Sequence, residues 1–299
     1  MLWAGFIFVS GLILANGECP DGCDQPVAIY KDLRCEPIYA KPTDCCPVKY
    51  DCSTLEKRPE GKCTYRGKTY NLKEDIPQDE TYGNCQIGCS CRETDNIQCA
   101  ILDCPEWLGS RPKAGSHFTY TLNKCCSTGQ QAAPFATCKV GEEEYKEGQK
   151  FSGPKRCTDC VCAKGWKGKF EAPFCMEQTC TEEMTNIKKM KANCAPSYLG
   201  KNPCCPFKWI CSDDEKADDK ITPSATPKDA NNKEQCKYGS KLLNIGDKFE
   251  RIEPISSYDR FEINCTCVIP PFLTCTQKQV FDKDKTPHHI KLIAGILKK

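Results

Sequence analysis

Cysteine placement constrains this chain more than any other feature. Three stretches start at a cysteine and run in one register: Cys63-Thr-Tyr-Arg-Gly-Lys-Thr-Tyr, Cys138-Lys-Val-Gly-Glu-Glu-Glu-Tyr and Cys236-Lys-Tyr-Gly-Ser-Lys-Leu-Leu. A second pattern, Cys-x-Pro-x-Tyr-x5-Cys-Cys-Pro-x-Lys-[Tyr/Trp]-x-Cys, occurs from Cys35 to Cys52 and again from Cys194 to Cys211. The chain is therefore an array of one small module, some copies whole and some partial. With 28 cysteines in 299 residues it has the composition of a disulfide scaffold.

The first 17 residues carry no charged side chain, Leu2 to Leu14 is apolar, and Ala15-Asn16-Gly17 fits a small-x-small cleavage site. This predicts a secretory signal peptide over 1–17, cut before Glu18. The apolar run falls short of the ~20 residues that span a bilayer, so no membrane span is expected. An exported chain with an even cysteine count predicts disulfides, and Cys157-x2-Cys160-x-Cys162 is read as part of that framework, not as a zinc site. A net charge of +2 gives no global field toward nucleic acid.

Cysteine parity divides the rest. Segment 18–52 holds six cysteines, 63–126 eight, 138–211 ten and 236–275 four, so each can close its own bonds. Segment 212–235 is rich in Asp, Lys, Pro and Thr, has no aromatic residue and reads as a disordered acidic linker. A basic tail, 276–299, follows.

The pairs Cys89-x-Cys91, Cys160-x-Cys162 and Cys265-x-Cys267 have the period of a strand, which places both sulfurs of a pair on one side. The expected fold is small disulfide-rich modules of short antiparallel β-strands with irregular disulfide-stapled subdomains, arranged as beads on a string. Only Glu182–Lys191 and Ile290–Lys299 carry helix signals. Compared with 138–211, segment 63–126 lacks two cysteines, the lone one before Cys-Cys and the one after it. Losing two bonded partners leaves no free thiol, whereas losing either alone would. The joint absence predicts a Cys194–Cys211 bond and, by repeat equivalence, Cys35–Cys52.

With these motifs in view, Cys138 to Cys211 resembles a von Willebrand factor type C module, with all ten cysteine positions present. Cys63 to Cys126 is similar to the eight-cysteine, single-domain version, departing from it at Cys85-x3-Cys89. Segment 18–52 resembles only the second half of a module. Segment 236–275 resembles only the first half, without the first cysteine of its cluster. The resemblance implies an N-terminal subdomain of short strands and a C-terminal subdomain held by disulfides. It also implies an extracellular protein ligand, such as a growth factor of the bone morphogenetic protein and transforming growth factor β class, or a matrix component. Other members of the family are matrix, mucus or defence-related proteins.

No catalytic constellation stands out. The three histidines, His117, His288 and His289, lie in a loop and the tail, and the cysteines are committed to disulfides. The reading is a non-enzymatic protein with no cofactor and no metal. The best contact surface is basic: Lys164, Trp166, Lys167 and Lys169 at an expected hairpin tip, with Lys188, Lys189 and Lys191 as a second cluster. Segment 138–211 has 13 basic against 9 acidic residues, net +4, whereas 18–52 has 4 against 7, net −3. That asymmetry suits an acidic polysaccharide or acidic protein surface; the bland alternative is a solvated lysine face with Trp166 packing locally. Asn264-Cys265-Thr266 is the one N-glycosylation sequon. These observations predict a secreted binding protein, with a structural or secretion-product protein, or a humoral defence factor, as the alternative.

Overall fold

The computed structural model describes residues 23, 27–200, 204–212, 219–225, 234–256 and 259–281. The expected signal segment 1–17 and the helix signal at 290–299 lie outside the described residues.

Each first half begins with a two-stranded hairpin: Lys62–Tyr65 with Lys68–Asn71, Thr137–Val140 with Glu143–Lys146, and Gln235–Tyr238 with Lys241–Asn244. In the first of these, Arg66 and Gly67 both take positive φ (49° and 74°), the conformation a tight two-residue hairpin demands. A Cβ at Gly67 would collide with the Arg34 guanidinium, which donates to Arg66 O. The turn is thus shaped by the N-terminal segment packed against it.

After each hairpin comes a small antiparallel sheet. In segment 138–211 it comprises Lys150–Ser152, Thr158–Val161 and Cys175–Glu177. The bonds repeat from copy to copy. Cys63–Cys91, Cys138–Cys162 and Cys236–Cys267 tie the hairpin to the sheet. Cys89–Cys99, Cys160–Cys175 and Cys265–Cys275 cross-link adjacent strands. The cluster cysteines face inward as their period-two spacing requires: Cys89, Cys91, Cys160, Cys162, Cys265 and Cys267 are all buried. Disulfides stand here where a larger protein would place aliphatic core.

The second halves are held differently. In 138–211 the expected helix Glu182–Lys191 is two short helices, Glu182–Thr185 and Ile187–Lys191, interrupted at Asn186. A hairpin of Ala195–Leu199 and Lys208–Ile210 follows. Adjacent cysteines take different partners, since neighbouring side chains on an extended chain point opposite ways. Cys204 bonds Cys157 and Cys205 bonds Cys180, while Cys125 bonds Cys85 and Cys126 bonds Cys104. Segment 18–52 repeats this half, with a helix Ala28–Asp32, strands Glu36–Ile38 and Lys49–Asp51, and a Cys23–Cys46 bond.

The modules, as small disulfide-rich units of short antiparallel strands, match the sequence reading. What spacing alone did not carry is how they pack. Ala195–Leu199 lies parallel to Thr274–Phe281, so a five-stranded sheet joins the third module to the C-terminal segment. A shared core combines Tyr30, Tyr50 and Leu55 from the N-terminal segment, Ile187, Met190 and Trp209 from the third module, and Ile269 and Phe272 from the C-terminal segment. Tyr30 stacks on Tyr50 with ring centroids 4.3 Å apart and donates to Ile269 O at 2.8 Å. Burial pushes the Tyr30 hydroxyl far above the usual phenol range, and the Phe272 amide hydrogen bond offsets only part of that.

The expected linker 212–235 is also more engaged than its composition suggests. Asp219 is buried, accepts hydrogen bonds from Arg251 and the Tyr238 hydroxyl, and Thr222 bridges Lys248. A buried aspartate needs such a partner, and Arg251 stands 32 residues further on, beyond what local composition can reveal. Residues 213–218 and 226–233 lie outside the described residues.

Candidate binding surfaces

The loop carrying Lys164, Trp166, Lys167 and Lys169 joins the antiparallel strands Thr158–Val161 and Cys175–Glu177. Trp166 is half-buried at its base. Its indole donates to Lys139 O at 3.2 Å and meets Phe151, Phe170 and Phe174 edge-on, with centroids 5.3 to 5.5 Å apart. The tryptophan therefore anchors the loop. The three lysines are exposed, and among the described residues only Lys169 has an acidic neighbour, Glu171 at 3.7 Å. A contact that exposed contributes little.

Lys188 and Lys191 are used otherwise. Lys188 pairs with Glu93 at 2.9 Å and Lys191 with Asp95 at 2.6 Å, both where strands Gln86–Glu93 and Asn96–Ile101 of the second module turn into each other. Asp95, Glu183 and Arg58 are buried together at this junction; Arg58 donates to Glu183, and the Arg66 amide donates to the same carboxylate at 2.8 Å. Burial raises the Glu183 carboxyl above its ordinary range, against the pull of Arg58. Lys189 stays exposed. The contacts of Lys188 and Lys191 thus lie on the second module, while the 164–169 loop leans on its own module. Asn264 is exposed, near the end of strand Asp259–Thr266. Cys194 is bonded to Cys211 and Cys35 to Cys52, with S–S distances of 2.01 and 2.04 Å.

A surface that sequence reasoning missed lies on the second module. Trp107 is 58% exposed, Leu108 75% and Ile101 74%. Trp107 and Leu108 sit on a turn closed by hydrogen bonds from Trp107 N to Cys104 O (2.9 Å) and from Ser110 N to Pro105 O (3.0 Å). The turn is stiff. Cys104 is bonded to Cys126, and the Glu106 carboxylate accepts from Ser127 N at 2.7 Å and Ser127 Oγ at 3.1 Å. Burial would raise the Glu106 carboxyl, but backbone and Ser127 hydrogen bonds outweigh it and hold it below its ordinary value. On one side Trp107 lines an open groove of about 720 Å³ with Pro112, Phe118 and Tyr120, completed by Tyr145 of the third module. Lys150 crosses between the modules, its ammonium 5.0 Å from the Tyr120 ring centre and donating to Lys124 O at 3.1 Å. A signal for this site did exist: a Trp-Leu pair between a disulfide cysteine and a glycine has little local core to enter.

Two cysteine triads, Cys85/Cys104/Cys125 and Cys180/Cys204/Cys205, have the proximity of a metal site. Each of those sulfurs is in a disulfide, which leaves no thiolate to ligate.

The chain is 27% identical over 228 residues to the cysteine-rich motor neuron 1 protein of Mus musculus, covering 67% of this chain and 19% of that protein. It is 26% identical over 206 residues to the protein of the same name from Gallus gallus, covering 65% and 17% respectively. The chain thus spans under a fifth of the length of these relatives. No family model matches it, and no solved structure matches it.

Proposed function

We propose that this is a secreted, non-enzymatic binding protein that captures an extracellular protein ligand. The rigid, solvent-facing Trp107–Leu108 turn carries the proposal. Large apolar side chains held exposed by disulfides have no folding role there, and a tryptophan on a preorganised turn is the kind of residue that dominates a protein interface. Similarity to a cysteine-rich protein and resemblance to type C modules support growth factors of the bone morphogenetic protein and transforming growth factor β class as the ligand. Several modules on one chain add avidity where they can engage one ligand together. The test is surface plasmon resonance of the intact secreted chain against a dimeric bone morphogenetic protein. W107A/L108A is expected to weaken binding at least about 30-fold, the effect of losing a contact worth ~2 kcal/mol. Wild-type affinity in that variant, or no binding by the unaltered chain, would reject this reading.

The exposed Lys164, Lys167 and Lys169 support a second, compatible contact with acidic polysaccharide. On a heparin column, K164A/K167A/K169A should elute at lower salt than the parent, because such contacts weaken with ionic strength. Unchanged elution would leave these lysines as a solvated loop.

A further inference from the structure

Asn264 lies near the end of strand Asp259–Thr266, a strand hydrogen-bonded on both sides within the five-stranded sheet. Its register partners are Glu250 and Thr276, and it is exposed. The next residue, Cys265, is fully buried and bonded to Cys275 directly opposite, with Cα atoms 4.0 Å apart. The third residue of the sequon, Thr266, stands opposite Thr274. The sheet thus separates the sequon into an asparagine on the solvent face, a cysteine sealed into the core, and a threonine back on the solvent side.

We propose that Asn264 carries an N-linked glycan, and that closure of the Cys265–Cys275 bond limits how many copies of the chain receive it. The donor is a polyprenyl-diphosphate-linked oligosaccharide. The Asn264 amide nitrogen bonds to C1 of the reducing-end sugar, the C1–O bond to phosphate breaks, and the nitrogen's proton and the bonding electron pair leave with polyprenyl diphosphate. A transferase must hold asparagine and threonine together on a detached segment. Once the strand has neighbours on both sides and Cys265 is bonded, that segment can no longer detach. The Cys265–Cys275 bond closes a sequence separation of only 10 residues, so the two sulfurs meet early. Modification and oxidation therefore compete for the same stretch of newly made chain.

The solvent face of the sheet accommodates a sugar. Glu250 and Thr276 flank Asn264, and Ile252, diagonal to it on the neighbouring strand, is 65% exposed. The first sugar would cover that isoleucine. A glycan there takes this face out of protein contact and leaves the Trp107–Leu108 turn and the 164–169 loop as the surfaces that meet partners.

The inference rests on the secretory reading, and the experiment separates the two. The full chain is expressed in a eukaryotic secretory cell, and total cell-plus-medium protein is examined by glycosidase release and peptide mass spectrometry. Reading total protein keeps the result valid for a variant that misfolds and is retained. Four forms are compared: the parent, N264Q, C265S/C275A (which keeps an Asn-Ser-Thr sequon), and K167N/K169T, which adds a sequon to an exposed loop. The parent should be partly occupied at Asn264, and N264Q should lose the glycan. In C265S/C275A the unoccupied fraction should fall by at least half. Modification of the added loop sequon but never of Asn264 overturns the proposal alone. Modification at neither overturns the secretory reading and the proposal with it. Equal occupancy in the parent and C265S/C275A overturns the competition.

Discussion

The second halves of the two central modules share a disulfide plan but treat their apolar residues in opposite ways. Cys104–Cys126 and Cys85–Cys125 in one correspond to Cys180–Cys205 and Cys157–Cys204 in the other. In the third module, Ile187, Met190 and Trp209 are buried in the core shared with both ends of the chain. In the second, Trp107 and Leu108 face solvent on a turn of similar rigidity. The bonds therefore fix the backbone without deciding which surface is buried. That depends on whether a neighbouring segment arrives to cover it. The third module has such neighbours in both ends of the chain and, at Met184, in the second module. Among the described residues the second module's turn has only the open groove beside it, which is why we assign the ligand to this side.

Stability measurements test the contrast most directly. Ile187 is fully buried against three segments, so Ile187→Ala should lower the unfolding free energy by about 2–5 kcal/mol. Leu108→Ala should change it by less than about 0.5 kcal/mol, as surface substitutions do. Denaturant unfolding under non-reducing conditions reads both. Comparable losses would mean that the exposed turn belongs to a core after all, and the functional assignment of Trp107 would fall with it.

The Cys194–Cys211 bond, absent from the second module, provides a second test. The pair C194A/C211A should lose about 3 kcal/mol in the loop-closure model and leave no free thiol. The same core holds Cys194 and the N-terminal Tyr30 and Leu55, so the N-terminal segment should become more sensitive to limited proteolysis. A variant as stable and as resistant as the parent would show that packing, not the bond, holds this half.

Much of this was legible in the chain and some was not, for physical reasons. Cysteine spacing is a short-range code: period-two pairs, doublets and lone cysteines report local strand direction, and the module type follows from them. Contacts between modules are long-range. Tyr30 reaches Ile269 across 239 residues, and no periodicity near Tyr30 points to that carbonyl. Trp166 shows the opposite difficulty. A tryptophan among lysines looks like a ligand contact, yet Phe151 and Phe174, brought near by the sheet, give it a packing role. Trp107 has no charge cluster beside it to mark it in the sequence. Its exposure emerges only from the fold, where no described segment covers it.

A pH-dependent effect concerns Asp32, on the N-terminal helix where it meets the third module. Cys180 N–H donates to its carboxylate at 2.6 Å. Burial raises the Asp32 carboxyl to about 7 from an ordinary 3.8, and the Cys180 hydrogen bond and the Arg66 charge oppose the shift without cancelling it. Glu183 and Glu177 add to the rise. The folded state thus holds this proton more tightly than the unfolded chain does. The contribution to stability is complete below pH 4 or so, falls as pH rises from about 4 to about 7, and is flat above that. Part of the side chain still reaches solvent, so screening holds the difference to about 1 kcal/mol. Asp32→Asn keeps an oxygen for the Cys180 amide but cannot ionise. The variant should match the parent at pH 4 and gain on it progressively up to pH 7, in unfolding midpoints measured across that range. Parallel midpoints from pH 4 to 8 would show that water reaches the carboxylate freely, and that the N-terminal segment sits more loosely on the third module than the shared core implies.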